Sequence, residues 1–256
     1  MTSRSALLTP VLMVGCVIIA ISFGIRSSFG IFQIPISQDF SWLRSEYSLA
    51  IAIQNLAWGL GQPIFGAIAD KFGDRRAILG GALLYAAGLV LSSSAITPMG
   101  HQLYSILIGF GVAGTGFGVI LAVVGRSSSD ANRSMSLAIA TAAGSVGQIF
   151  GPPLAEYLLI VFSWQIVFVY FAIVMISAMV MLPLMRSPKA AQKAAADHSM
   201  RQVLTQALRD PSYMMIFIGF FSCGYQLAFV TAHFPAFVTE MCDPILSSGL
   251  LYSMGV

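Results

Sequence analysis

Arg26 is the residue whose type and position point most clearly to chemistry, because it is the only charged residue between positions 9 and 35. A cation inside an apolar helix costs at least ~2.5–3.5 kcal/mol on insertion scales, so it faces a partner or a watery cavity. The flat guanidinium matches a carboxylate in shape and charge. The sequence therefore predicts that Arg26 binds an anionic ligand. The alternative is an arginine that snorkels or pairs with an acid such as Asp39.

Polar side chains in other apolar runs extend this candidate site. Asn55 and Gln54 are adjacent, and adjacent residues of a helix do not share a face. One of the two is therefore expected to face the same cavity as Arg26, and the choice between them stays open. A later apolar run supplies two more polar groups. The predicted binding set is Arg26, Asn55, Gln54, Tyr225 and Gln226.

Other kinds of functional site find little support in the residue pattern. The three histidines and three cysteines are far apart in sequence, and no C-x-x-C pair occurs. No Ser/His/Asp or Cys/His arrangement falls in a plausible common cleft. A net charge of +3 is too small to suggest nucleic-acid binding. We therefore expect no enzymatic activity, no metal, no cofactor and no nucleic-acid partner.

The elements that must position the candidate site are membrane-spanning helices. Charged residues make up 9% of the chain and apolar residues 57%, against about 25% and half in ordinary soluble proteins. Apolar runs of roughly twenty residues match the thickness of the hydrocarbon core. We place seven such runs, and the start of an eighth at 245–256, in this sequence. The seven are 9–35, 47–69, 77–96, 102–125, 134–159, 164–184 and 212–238.

The distribution of cations sets the expected orientation. With the N-terminus in the cytoplasm, all but Arg44 and Arg26 of the 13 Lys and Arg residues fall on the cytoplasmic side, as the positive-inside rule requires. Residues 186–210 form a polar linker, and positions 200–208 have one apolar face, which predicts a short helix on the membrane surface. The chain is thus expected to be an all-α, multi-pass protein of the cell (inner) membrane with a cytoplasmic N-terminus.

Small residues at helical spacing predict close helix packing. Gly114 and Gly118 are four residues apart, as are Gly147 and Gly151, and this spacing lets neighbouring backbones approach. The match of residues 109–114 to G-x-G-x-x-G has the same explanation. A dinucleotide site would need a strand before that motif and an acid about twenty residues after it.

Two motifs resemble signatures of the major facilitator superfamily. Residues 66–76 read G-x-x-x-D-K-x-G-x-R-R and resemble the loop between the second and third helices of that family, although Asp74 stands where the family usually has a cation. Residues 144–153, which include Pro152, resemble the fifth-helix motif of exporters and antiporters. The fourth helix lacks the membrane arginine of many proton-coupled drug exporters. Segments 24–32, 40–46 and 231–237 are similar to bacterial members near the monocarboxylate and oxalate/formate branch.

This resemblance implies a fold and a function. Residues 1–185 would form a six-helix N-terminal bundle of three-plus-three inverted repeats, 186–210 the cytoplasmic linker, and 211–256 the beginning of a second bundle, cut off in its eighth helix. The implied function is secondary transport of a small organic anion, such as a monocarboxylate. A drug or metabolite exporter of the same fold, or a non-transporting remnant of an interrupted gene, is the alternative.

The resemblance also implies partners and further functional residues. The expected partners are the lipid bilayer, a small-molecule substrate, and either the missing second bundle or another copy of the chain. Gly114, Gly118, Gly147, Gly151 and Pro152 would pack helices. The loop would gate the cytoplasmic side, with Asp70 as a cap and charge partner and two glycines permitting close approach and the turn. Its predicted gating residues are Gly66, Asp70, Lys71, Gly73, Arg75 and Arg76.

Overall fold

The computed structural model describes residues 7–185 and 200–241, and the regular structure in both ranges is helical, which confirms the predicted all-α class. Two 3-10 segments, Phe29–Phe32 and Met179–Leu184, continue the helices that precede them. The α-helices are α1 Pro10–Ser27, α2 Gln33–Phe40, α3 Arg44–Phe72, α4 Asp74–Ser93, α5 Pro98–Thr115, α6 Phe117–Ser127, α7 Arg133–Val161, α8 Trp164–Ala178, α9 Met200–Arg209 and α10 Pro211–Met241.

Most of the helical stretches are long and apolar enough to cross a bilayer. Among the described residues this holds for Pro10–Phe40, Asp74–Ser93, Pro98–Ser127, Trp164–Leu184 and Pro211–Val238. The helices α3 and α7 have 29 residues each, which is ample length for a crossing at 1.5 Å per residue. Each predicted apolar run from 9–35 to 212–238 falls within or close to one of these stretches. The helices extend beyond several of the runs because their charged ends need not lie in hydrocarbon.

Local sequence explains where several helices begin. Thr9 and Thr97 each cap a helix whose first residue is proline, and their hydroxyls accept hydrogen bonds from the backbone N–H of Leu12 and Gly100, both at 3.2 Å. Proline is favoured at this first position, where its missing N–H costs nothing. Between α3 and α4 the chain turns at Gly73, whose φ of 96° disfavours a side chain.

Contacts between the ends of the spans fall into two groups. At one end, which we call the Gly73 end, the Arg75 side chain donates to the carbonyls of Pro183 and Met185 at 2.6 Å each. At the opposite end, which we call the Trp42 end, Trp42 packs against His101 at the start of α5 with ring centroids 5.9 Å apart.

Glycines form the closest helix crossings. Gly147 of α7 packs against the backbone of α1, and Gly151 packs one turn further along against Gly24. Between α4 and α5, a Cβ atom built on Gly81 would come within 2.6 Å of the Cα of Gly114. A side chain at any of these positions would force the two backbones apart, and such close approach is how apolar helices gain contact in a membrane.

The remaining predicted packing residues also lie inside the bundle. Gly118 of α6 lies against the side chain of Gln62 in α3, and a Cβ there would collide with the amide oxygen. Pro152 is buried within α7 and is followed directly by a second proline, Pro153, while the helix continues to Val161.

The structure interrupts two spans that the sequence predicts as continuous. The first span narrows to a 3-10 segment at Phe29–Phe32, and the fourth is broken at Gly116, between the end of α5 and the start of α6. The second half of α10 packs on the first interruption, where Gly30 lies directly against Thr231. The helix α9 covers the positions predicted to form an amphipathic helix. The linker residues 186–199 and the predicted eighth helix at 245–256 lie outside the described residues.

Candidate functional site

Arg26 lies in the last turn of α1, close to the middle of the first span, and is only 6% exposed. Hydrogen bonds of buried hydroxyl groups hold this part of α1 in place. Tyr85 of α4 donates to the carbonyl of Ser22 at 3.1 Å, and the hydroxyls of Ser22 and Thr115 lie 2.9 Å apart. These bonds tie α1 to α4 and α5 one turn before Arg26. The guanidinium therefore extends from a fixed helix into the bundle interior.

Asn55 is the member of the adjacent pair that contacts Arg26. The Nη2 of Arg26 donates to the Oδ1 of Asn55 at 2.8 Å. The Nδ2 of Asn55 donates to the carbonyl of Ile51 at 2.9 Å, one turn back along α3, which holds the oxygen toward the guanidinium. Gln54 is buried on another face, where its backbone carbonyl lies against Gly109 of α5. Of the two, Asn55 thus shares a site with Arg26.

Trp58 belongs to the same site, although the sequence argument does not select it. The Cζ of Arg26 lies over the indole ring at 4.5 Å from its centroid, which is within the range of a cation–π contact. Trp58 follows Asn55 by three residues on α3, so the two side chains lie on one helix face. That spacing is the signal that could have identified Trp58, but only once Asn55 is known to face Arg26.

The two predicted site residues of α10 lie elsewhere in the structure. Tyr225 is 66% exposed and Gln226 is also exposed. Among the described residues, no hydrogen bond joins either side chain to Arg26 or Asn55. The contacts of α10 with the bundle are made further along, around Thr231 and Pro235, against the Phe29–Phe32 segment. A role for the two side chains in binding stays a prediction.

Asp39, suggested as a partner of Arg26, bonds to a different residue. It lies on α2 at the Trp42 end, and its Oδ2 accepts a hydrogen bond from the indole Nε1 of Trp164 at 2.6 Å. This bond joins α2 to the first residue of α8. Asp39 thus closes the Trp42 end of the bundle. A structural pairing of Arg26 with an acid stays the alternative.

The loop at the Gly73 end carries an ion pair that the sequence argument does not predict. Asp74, which is buried, forms a short ion pair with Arg126 of α6. Asp70 lies 3.7 Å from the same guanidinium and is 36% exposed. Two carboxylates of this loop therefore lie close to one arginine at the end of the fourth span. Asp74, which stands where the family usually has a cation, pairs with this arginine.

The other predicted gating residues differ in their contacts and exposure. Arg75 caps the carbonyls at the end of the sixth span, Arg76 is exposed, and Lys71 lies 5.3 Å from the ring centroid of Phe72. Gly73 makes the turn. The expected close approach at Gly66 is not met by the part of the chain that the structure describes, where a Cβ atom on this residue would have open space within 4 Å. Gating by these residues stays a prediction.

The described side chains around Arg26 are of types that bind a ligand. An arginine, an amide and an indole provide positive charge, hydrogen-bonding groups and an aromatic face. Within residues 7–185 and 200–241, no three His, Cys, Asp or Glu side chains cluster as a metal site would require.

Comparison with known proteins identifies similar chains. A family model described as Major Facilitator Superfamily matches residues 14–256. The uncharacterized MFS-type transporter YcxA of Bacillus subtilis (strain 168) is 28% identical over 215 residues, which cover 81% of this chain and 52% of YcxA. Monocarboxylate transporter 13 of Bos taurus is 33% identical over 155 residues, which cover 57% of this chain and 34% of that transporter. The chain therefore spans about half the length of the first relative and a third of the second.

A solved structure supports the same fold. The crystal structure of a D-xylose–proton symporter matches with a TM-score of 0.68 at 15% identity, over 96% of this chain and 64% of the symporter. An identity this low shows a shared fold and nothing about substrate.

Proposed function

This chain belongs to the major facilitator superfamily, and we propose that it serves in a secondary active transporter of a small organic anion, such as a monocarboxylate. In this fold, substrate binds near the bilayer midplane between two bundles, which move to open the site to each side in turn. On this proposal, residues 1–185 would be one bundle and α10 the first helix of the next. Arg26 would be the substrate-binding charge, with Asn55 beside it.

The position of Arg26 is the single observation that carries this proposal. It is a buried cation near the middle of the first span, held by side chains of α3. Intramembrane arginines mark substrate and ion pathways, and the guanidinium fork is suited to a carboxylate. The similarity to monocarboxylate transporter 13 supports the same substrate class. A drug or metabolite exporter of the same fold is the competing function and would not require a cation at this position.

The proposal can be tested by measuring ligand affinity with the purified protein in nanodiscs. L-lactate is the probe, and lactamide is its neutral counterpart of nearly the same shape. Replacing Arg26 by Gln keeps hydrogen-bonding groups but removes the charge. We expect Arg26→Gln to weaken lactate binding by about 1.5–3 kcal/mol, or roughly ten- to a hundredfold, and to change lactamide binding much less.

Matched measurements separate binding from folding in this experiment. Arg76→Gln removes the same charge from an exposed position at the Gly73 end and should leave lactate affinity unchanged. Thermal unfolding on the same preparations reports stability. A purely structural Arg26 would lower stability while preserving affinity. An unchanged affinity for lactate in Arg26→Gln would remove Arg26 from the site and weaken the case for an anion.

We propose further that the protein lies in the cell membrane with the Gly73 end in the cytoplasm. The positions of the cations support this orientation, because Arg75, Arg126 and Arg133 lie at that end. In a background without native cysteines, Ala131→Cys should resist an impermeant thiol reagent added to intact cells, and Ile96→Cys at the opposite end should react. The reverse labelling pattern would overturn the orientation.

A further inference from the structure

We infer that Trp58 is a positioning residue of the Arg26 site, and that its indole face holds the guanidinium where a carboxylate can reach it. This inference rests on the proposed function, because it assigns Trp58 a role in binding the same anion. Trp58 would act through Arg26, and no contact between Trp58 and the substrate is required.

The first step is the geometry of the two contacts from α3. Asn55 fixes one end of the guanidinium through the 2.8 Å hydrogen bond to Nη2, and Trp58 lies under its carbon at 4.5 Å. Both residues come from one face of one helix. Arginine has a long, flexible side chain, and the hydrogen bond to Asn55 fixes one nitrogen of the guanidinium. The indole face of Trp58 restricts the plane of the group as well.

The second step is that the indole ring is itself held on several sides. Phe23 of α1 meets Trp58 edge-on, with centroids 5.8 Å apart and an interplanar angle of 77°. Phe117, the first residue of α6, packs on Phe23 at 4.2 Å. A Cβ atom on Gly116 would lie 3.7 Å from the Nε1 of Trp58 and 3.5 Å from Phe23. The break in the fourth span therefore lies against the ring, and α1, α3 and α6 together fix it.

The third step concerns the indole N–H. Tryptophan usually finds a hydrogen-bond partner for this group when it is buried. The Nε1 of Trp58 is buried and has no hydrogen-bond partner among the described residues. A hydrogen bond from the indole therefore does not explain the tryptophan at position 58. A buried donor without a partner lowers stability. What tryptophan offers over leucine or phenylalanine is the aromatic surface that binds a cation most strongly.

The test compares Trp58→Leu and Trp58→Phe with the unsubstituted protein, using L-lactate and lactamide in nanodiscs. We expect Trp58→Leu to lose about tenfold in lactate affinity and Trp58→Phe to lose less, because phenylalanine keeps a weaker aromatic face. Lactamide affinity should change little in either variant. Trp42→Leu is the matched control, since it makes the same substitution in a buried tryptophan that stacks on Phe40 at the Trp42 end. It should lower stability without changing lactate affinity.

A spectroscopic measurement reports the position of the guanidinium without any ligand. The side-chain Nε–H resonance of Arg26, identified by its loss in Arg26→Gln, should be displaced by the ring current of Trp58. The displacement should shrink in Trp58→Phe and shrink most in Trp58→Leu, where the ring of Phe23, 6.0 Å from the Arg26 Cζ, remains. If Trp58→Leu does not fold, the Phe variant decides, because a resonance and an affinity both equal to those of the unsubstituted protein overturn the inference.

The outcomes separate this inference from the function on which it rests. Loss of lactate affinity in Arg26→Gln, together with full affinity in Trp58→Leu, overturns the positioning role and leaves the anion site standing. Unchanged affinity in Arg26→Gln overturns the anion site, and the positioning role falls with it. Loss in both variants, with partial rescue by phenylalanine, supports the inference.

Discussion

Arg126 and Arg26 are both largely withdrawn from solvent, but different kinds of group hold them. At the Gly73 end, Arg126 forms an ion pair with Asp74 and lies 3.7 Å from Asp70. Within the first span, Arg26 donates to the amide oxygen of Asn55 and lies over the indole ring of Trp58. The carboxylates at Arg126 bring the opposite charge, whereas the amide of Asn55 and the ring of Trp58 orient the guanidinium of Arg26.

This difference suggests separate purposes for the two arginines. The Arg126 site joins the α3–α4 turn to the end of α6, and it satisfies its charge with carboxylates from the same bundle. Such a site contributes to holding helix ends together. Under the proposed function, the Arg26 site orients a positive charge near the middle of a span toward an anionic ligand. The comparison therefore predicts that neutralising substitutions act on stability at one site and on affinity at the other.

Asp74→Asn should have the largest effect, which is a loss of stability. It replaces the carboxylate that pairs with Arg126 by an amide, the kind of group that contacts Arg26. Removing one member of a buried ion pair costs about 3–5 kcal/mol, and we expect about 2–3 here because the Arg126 side chain is 18% exposed and Asp70 remains nearby. The loss should appear as a lower free energy of unfolding in an SDS titration. Asp130→Asn, in an exposed part of the α6–α7 loop, is the control and should change stability by less than about 0.5 kcal/mol. Equal effects from the two variants would contradict a structural role for the pair.

Asn55→Asp performs the opposite exchange and should act on affinity. It places a carboxylate where the amide now lies 2.8 Å from Arg26, so the new ion pair would compete with lactate for the guanidinium. We expect lactate binding to weaken roughly tenfold or more, a change of about 1.4 kcal/mol or above, with the protein still folded. Isothermal titration would measure it. Ala131→Asp adds the same charge at the Gly73 end and serves as the control. Unchanged or tighter lactate binding in Asn55→Asp would contradict a charge-based contact between lactate and Arg26.

The spans were predictable from the sequence because the bilayer imposes a simple length rule. The apolar run 47–69 has charged residues on both sides, and the helix α3 extends to them. The run 134–159 follows Arg133, and the helix α7 begins at that residue. Arg26 was predictable for a related reason, since a charge in an apolar run needs an explanation wherever it occurs. Both arguments depend only on residues close together in the chain.

The remaining features depend on which helices become neighbours. Arg126 and Asp74 are 52 positions apart, and in sequence each reads as one more charge at a helix end. Trp58 is an apolar residue in an apolar run, and nothing in that run distinguishes a cation-binding face from a packing one. The break at Gly116 was hidden because other glycines, such as Gly111, continue their helix. The packing of Phe23 and Trp58 against this break is a contact between helices, which the sequence does not show.

Asp70→Asn should have the smallest effect, and it tests whether the Arg126 site is one pair or a cluster. The Asp70 oxygen is 3.7 Å from Arg126 and the side chain is 36% exposed, so the attraction is screened by water and should contribute about 0–1 kcal/mol. Salt provides the discriminating measurement, because the screening length falls to about 3 Å at 1 M ionic strength. The cost of Asp70→Asn should vanish there, and the cost of Asp74→Asn should largely persist because Asp74 is buried. If both costs persist equally in 1 M salt, the two carboxylates and Arg126 form a single buried unit. The contrast with Arg26 would then be between a three-residue ionic cluster and an oriented cation.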